Sequence, residues 1–145
     1  MIQSVSLLSI CGLLLWVSMA CTPKHTESVV LSERGYRVSL DVSDTRIWLG
    51  PDIAPFPSFA ELVVRVHDAQ GQPVNGIPVR FAVEPSWAQY ASLTPAETLT
   101  RNGEARATFQ ASSIGVVRVM AQVDNVTRDV AMTVESRPSP VGGGA

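Results

Sequence analysis

Cysteine is scarce in this chain of 145 residues: there are two, and histidine is as rare, with two. Cys11 lies inside an apolar run near the start, and Cys21 follows that run directly. If the run is removed on export, one cysteine survives and no internal disulfide can form. His25 and His67 cannot supply the three or four clustered ligands that a metal site needs, so no metal or cofactor is expected. Excess charge is missing too. Eleven Lys plus Arg stand against thirteen Asp plus Glu, and no stretch collects the positive ones. That excludes a nucleic-acid surface. No sustained helical period occurs after residue 28, where valine dominates the apolar set, which points to strands. No serine sits in a nucleophile-elbow motif. A small hydrolase would need paired carboxylates about 5–10 Å apart in a cleft. Asp and Glu here fall mainly on solvent-facing strand positions and in turns, so an enzyme is not expected.

What is present begins with residues 5–20, which carry no charge and have a leucine-rich core (Leu7, Leu8, Leu13, Leu14, Leu15). The run is shorter than the roughly 20 residues of a spanning helix and is interrupted by serine. It suits the apolar core of a signal peptide, residues 1–20, ending in the small-residue pattern Ser18-Met19-Ala20. The start lacks Lys or Arg, so an uncleaved anchor is the competing reading. The segment resembles a bacterial lipoprotein signal, in which the cysteine after the cut is acylated. Ala20 and Cys21 match that pattern, while Ser18 stands where leucine is preferred. The resemblance implies lipid attachment at Cys21 and a membrane as one partner. Ordinary cleavage that leaves a chance cysteine is the alternative. Thr22 is not the aspartate that often retains such proteins in the inner membrane, so outer-membrane anchoring is implied, facing periplasm or cell surface. Residues 21–35 read as a lipidated N-terminus and tether, with a reach of roughly 40 Å for a dozen residues.

Strand patterns fill residues 36–135. Val38, Leu40 and Val42 alternate with polar neighbours, and Ile47 and Leu49 flank Trp48. Pro51, Pro55 and Pro57 mark a loop or edge crossing. Leu62, Val64 and Val66 alternate with Glu61, Val63, Arg65 and His67; Ile77, Val79, Phe81 and Val83 do so with Pro78, Arg80, Ala82 and Glu84. After a loop over residues 85–95, Asn102-Gly103 signals a turn. Ala105, Ala107, Phe109 and Ala111 form one inward face, and Val117, Val119, Ala121 and Val123 form the next. Asp124-Asn125 turns the chain into Val130, Met132 and Val134. Residues 136–145 read as a flexible tail. About seven short strands with turns every 8–12 residues indicate an all-β, immunoglobulin-like sandwich without a disulfide.

The stretch VHDAQGQPVNGIPVRF at residues 66–81 resembles bacterial immunoglobulin-like group 1 domains, the repeats of invasin- and intimin-type adhesins. Asp68, Gly71, Pro73, Gly76, Val79 and Phe81 stand where that pattern wants them. Gly103 and Ala105 match its downstream strand entry, and Gly115 its penultimate strand. The first half of the motif also occurs in transthyretin-like and carboxypeptidase-regulatory sandwiches; the match after Asn102 favours the immunoglobulin-like group. These are fold residues, and the resemblance implies no catalytic site. It implies a binding, spacing or structural module with a protein or other envelope component as partner. The alternative is an accessory subunit of a larger envelope or secretion complex, docking through a sheet edge or loops.

Three aromatic residues are candidates for partner contact. Trp87 and Tyr90 lie in a loop, where they either anchor a partner or cap one end of the core. Trp48 is out of phase with its buried neighbours. Asp41 and Asp44 flank a turn and are read as capping it rather than as calcium ligands. His67 is read as a solvent-facing strand residue. Asn125-Val126-Thr127 fits a glycosylation sequon and is read as coincidental. The alternation also yields a test of strand register. Phe81→Ala is expected to cost about 3–5 kcal/mol, and Arg80→Ala about 0.5 kcal/mol or less, by urea midpoints. The reverse order would turn the strand over.

Overall fold

The computed structural model describes residues 31–139. Nine strands pack as two sheets. β1 (Arg37–Val42), β3 (Phe59–His67), β7 (Glu104–Ala111) and β5 (Ala91–Thr94) form one sheet in the order β1-β3-β7-β5. β2 (Arg46–Leu49), β9 (Val126–Ser136), β8 (Gly115–Val123), β4 (Pro78–Val83) and β6 (Glu97–Leu99) form the other, in the order β2-β9-β8-β4-β6. The sandwich expected from the alternation is borne out. The first strand region divides between the sheets: β1 pairs antiparallel with β3, whereas β2 pairs parallel with β9. Backbone bonds from Ser43 N–H to the Glu61 carbonyl and from Thr133 N–H to the Thr45 carbonyl mark the crossing, at 2.9 and 2.8 Å.

Inward faces are apolar because the alternation puts every second side chain between the sheets. Val38, Ile47, Leu62, Val64, Val66, Val79, Phe81, Phe109, Val117, Val119, Val123, Met132 and Val134 are all buried. Bulk is distributed in cross-strand pairs, large against small: Ala60 faces Phe109, Leu62 faces Ala107, Val64 faces Ala105, and Phe81 faces Ala121. Each alanine leaves room for its larger neighbour, and no disulfide joins the two sheets among the described residues.

Two departures from simple alternation have physical causes. Val63, in the outward phase, is nonetheless buried. Its cross-strand neighbours are Asp41 and Arg106. Around it runs a lattice of ion pairs: Arg65 with Asp41 and Glu104, and Arg106 with Glu61 and Glu104. The aliphatic stems of those long side chains shield the valine while their heads stay in water. The loop expected over residues 85–95 holds a short 3-10 turn (Pro85–Trp87) and then β5, and β6 follows it. The tether and the tail are also shorter than the sequence suggests. Leu31 bridges to Arg37, Ser32 is buried, and Glu33 N–H donates to the Asn125 side chain at 2.8 Å. Arg137 lies over the Phe56 ring, 5.9 Å from its centroid, and donates to the Pro51 carbonyl.

Asp68, Gly71, Pro73 and Gly103 form one knot at the end of the sandwich where the described chain begins, whereas Val79 and Phe81 lie in the core and Gly115 at the opposite end. Asp68 Oδ1 accepts from Gln70 N–H at 2.9 Å and Gln72 N–H at 2.8 Å, closing the turn in which Gly71 takes φ 81°. The connection over residues 68–77 carries the chain from β3 in one sheet to β4 in the other. The Asn102-Gly103 turn locks against it. Val66 N–H donates to the Gly103 carbonyl at 2.8 Å, and Gly103 N–H donates to Asn75 Oδ1 at 3.1 Å. A Cβ at Gly103, where φ is 74°, would lie 2.6 Å from Pro73 Cβ and 3.0 Å from the Val66 carbonyl oxygen. Buried Thr100 joins the same knot: its hydroxyl accepts from Ile77 N–H at 3.0 Å and donates to the Val74 carbonyl at 2.7 Å.

A pair of variants separates backbone strain from packing here. Gly71 and Gly103 both have positive φ, but a Cβ at Gly71 meets nothing within 4 Å. Gly71→Ala should therefore cost only the left-handed penalty, about 1–2 kcal/mol. Gly103→Ala adds overpacking against Pro73 and should cost about 1–3 kcal/mol more. Urea midpoints that came out equal would mean that the Pro73 contact contributes nothing.

Candidate functional site

Strand directions divide the sandwich into two poles. The start of the described chain, the residue 68–77 connection, the Asn102-Gly103 turn and the Asp124-Asn125 hairpin share one pole. The other holds the end of β2, the proline loop, the 3-10 turn, the ends of β4, β7 and β9, and the starts of β3, β5 and β8. β3 alone, nine residues long, separates the poles by about 30 Å.

All three aromatic candidates lie at the second pole, in different settings. Trp87 is half-buried and packs on the core from the 3-10 turn. Its ring sits so close to Gly115 that a Cβ there would be 2.8 Å from Trp87 Cζ2. Gly115 thus makes room for the indole, and Trp87 caps the core. Tyr90 meets Trp87 edge-on, with centroids 6.1 Å apart and planes at 78°, and is 44% exposed. Ser112 N–H fixes the turn by donating to the Tyr90 carbonyl at 2.7 Å. Trp48 is half-buried rather than exposed, because Phe56 folds back from the proline loop onto it, edge-on at 5.2 Å. The Trp48 backbone N–H donates to the Pro57 carbonyl at 2.8 Å.

Trp48 and Tyr90 line one groove of about 430 Å³. Its floor is the end of β7, which lies between β3 and β5. Trp48 and Ser58 stand on one side, and Gln89, Tyr90 and Ser92 on the other, with Gln110 between. None of the residues lining it is charged. Sequence reasoning found the aromatics but not the groove, because its walls come from segments some 40 residues apart that only pairing through β7 brings together. Exposed Ile53, Phe59, Ile114 and Val116 belong to the same pole.

Asp41, Glu61 and Glu104 are taken up in ion pairs with Arg65 and Arg106. Glu104 is held below the usual carboxylate range, first by its hydrogen bond from Arg106 and then by that from Arg65. A general acid needs the opposite shift. Asp44 caps its turn by accepting from Arg46 N–H at 2.9 Å. His67 is half-buried and bridges to Pro73. Among the described residues no three His, Cys, Asp or Glu side chains are grouped to hold a metal, and no helix is long and apolar enough to cross a membrane. Cys11, Cys21 and His25 lie outside the described residues.

Residues 58–135 match the bacterial Ig-like domain (group 1). Among solved structures, the D00-D0 domain of intimin is similar, with TM-score 0.57 and 18% identity, over 74% of this chain and 50% of that one. The Yersinia pseudotuberculosis adhesin InvE superposes with TM-score 0.51 at 17% identity, over 70% of this chain and 27% of its own. A C-terminal 282-residue fragment of intimin, in complex with the intimin-binding domain of its translocated receptor, does so with TM-score 0.50 at 21% identity, over 66% and 32%. The chain spans half or less of each of these structures. No curated protein matches the sequence. The family match covers more than half of the chain: the protein belongs to the family of bacterial Ig-like domains (group 1).

Proposed function

We propose that this protein is a non-enzymatic, lipid-anchored component of the bacterial envelope, whose Ig-like module holds a partner at the pole farther from its membrane attachment. The polarity of the sandwich carries this reading. The described chain enters at the knot, and the aromatic groove opens about 30 Å away, so a module tethered through Cys21 presents the groove outward. The nine residues between Cys21 and Leu31 add at most about 35 Å of reach. Adhesin domains of similar fold, one of them in complex with its receptor, support a binding role.

The second reading, an accessory subunit of a larger envelope or secretion complex, gains support from one feature of the edges. β6 closes its sheet with three residues only and carries exposed Leu99. So short an edge, flanked by the Arg80–Glu97 ion pair, is a poor template for strand addition. Strand addition in such a complex would therefore use β1, the six-residue edge of the other sheet, and loop docking the groove pole.

The anchor is tested on the mature protein. Intact mass should show a chain beginning at Cys21 and carrying lipid, and Cys21→Ser should move the protein from the membrane to the soluble fraction. An unmodified mature mass with unchanged fractionation would contradict the anchor.

A further inference from the structure

We propose that the groove between Trp48 and Tyr90 binds a neutral oligosaccharide, an inference that rests on the reading of the module as an envelope binding domain. The lining carries the argument. It is uncharged throughout, on a domain whose other outward surfaces carry Arg–carboxylate pairs. A phosphate, an acidic glycan or a charged peptide segment would find no counter-charge in the lining, since the Arg137 guanidinium beside Gly50 is turned to the Phe56 ring and the Pro51 carbonyl. A wholly apolar ligand would leave the polar rim unpaired, which costs affinity. The volume, about 430 Å³, lies within the range of small-ligand sites, and the groove is open along its length, so it suits a chain lying through it.

Sugar rings present apolar C–H faces and hydroxyl edges, and the groove offers a counterpart for each. Trp48 and Tyr90 provide aromatic surface, each with a polar tip that can hydrogen-bond. Gln89, Gln110, Ser58 and Ser92 provide the edge contacts. A carboxamide both donates and accepts, and a hydroxyl does the same, which is what a hydroxyl ligand needs. Gln89, Ser92 and Gln110 are exposed, and among the described residues none of these four side chains makes a hydrogen bond within the protein.

The aromatics are also held in place before a ligand arrives. Gly115 seats Trp87, Trp87 meets the edge of Tyr90, and Phe56 meets the edge of Trp48. Little ordering is left for binding to impose, which favours a ligand whose individual contacts are weak. Trp87 is accordingly a positioning residue, and Tyr90 and Trp48 are the contact residues.

The purified full-length protein, in a detergent without sugar headgroups, is titrated with chitohexaose, maltohexaose and, as an anionic counterpart, hexagalacturonate. At least one neutral hexasaccharide should bind saturably and change the tryptophan fluorescence, and Trp48→Phe should remove most of that change. Tyr90→Ala and Gln110→Ala, both at exposed positions, should each weaken binding about tenfold while circular dichroism stays unchanged. Arg80→Ala, on the other sheet, should leave binding intact. No binding of either neutral sugar at millimolar concentration overturns the inference, as does equal binding of hexagalacturonate or indifference to both groove variants. A cross-linking arm in intact envelopes separates the two claims. A protein partner lost with Tyr90→Ala, alongside silent sugars, would overturn the oligosaccharide and keep the binding module. Silence in both arms would overturn the binding module as well.

Discussion

The contact of Gly103 with Pro73 is the constraint on which the rest of the sandwich depends. Two turns from distant parts of the chain occupy one small space, and only the missing Cβ at residue 103 lets them do so. The first is the crossing from β3 to β4, which passes the chain between sheets. The second is the entry into β7, which pairs with β3. Locking them together sets the register of β3 against β7 and the start of β4 in the opposite sheet. Thr100 completes the lock by satisfying an amide and a carbonyl of the crossing that would otherwise be buried without partners.

This arrangement explains how a small sandwich dispenses with an inter-sheet disulfide. Covalent closure would restrict the unfolded chain; here the folded state is specified by backbone hydrogen bonds at one pole and by large-against-small pairs along the core. The ion lattice on the outer face of the β1-β3-β7-β5 sheet adds specificity more than stability, since its members are largely exposed and screened. With one pole taken up by the knot, the groove lies at the other, with Trp48 and Tyr90. A rigid scaffold with variable loops at one end is a common division of labour in binding domains.

Much of the fold was legible in the sequence, because period-two alternation is a local signal and the strands from Val38 to Val134 show it. The turn chemistry of Asp68 was legible for the same reason: its partners are Gln70 and Gln72, close in sequence. What escaped depends on distance along the chain. Thr100 looks like any polar residue before a turn, and its burial follows from partners 23 and 26 residues away. β5 and β6 are four and three residues long, too short to show a period. Val63 is covered by charged neighbours whose pairing appears only once β1, β3 and β7 are aligned. Of the candidate site, the three aromatics were readable as unusual, but their roles were not. Trp87 turned out to serve the core, and Trp48 is partly sheltered by Phe56. The groove itself is written in no segment.

Native-state hydrogen exchange measures the central claim most directly. If the knot holds the two sheets together, the amides of Val66, Ile77 and Gly103, whose acceptors all lie in it, should exchange only through global unfolding. Their exchange free energies should then equal the stability from urea denaturation and fall together in Thr100→Val. Exchange of these amides through local opening, several kcal/mol below the global value while the β8 and β9 amides remain protected, would show that the sandwich stands without the knot.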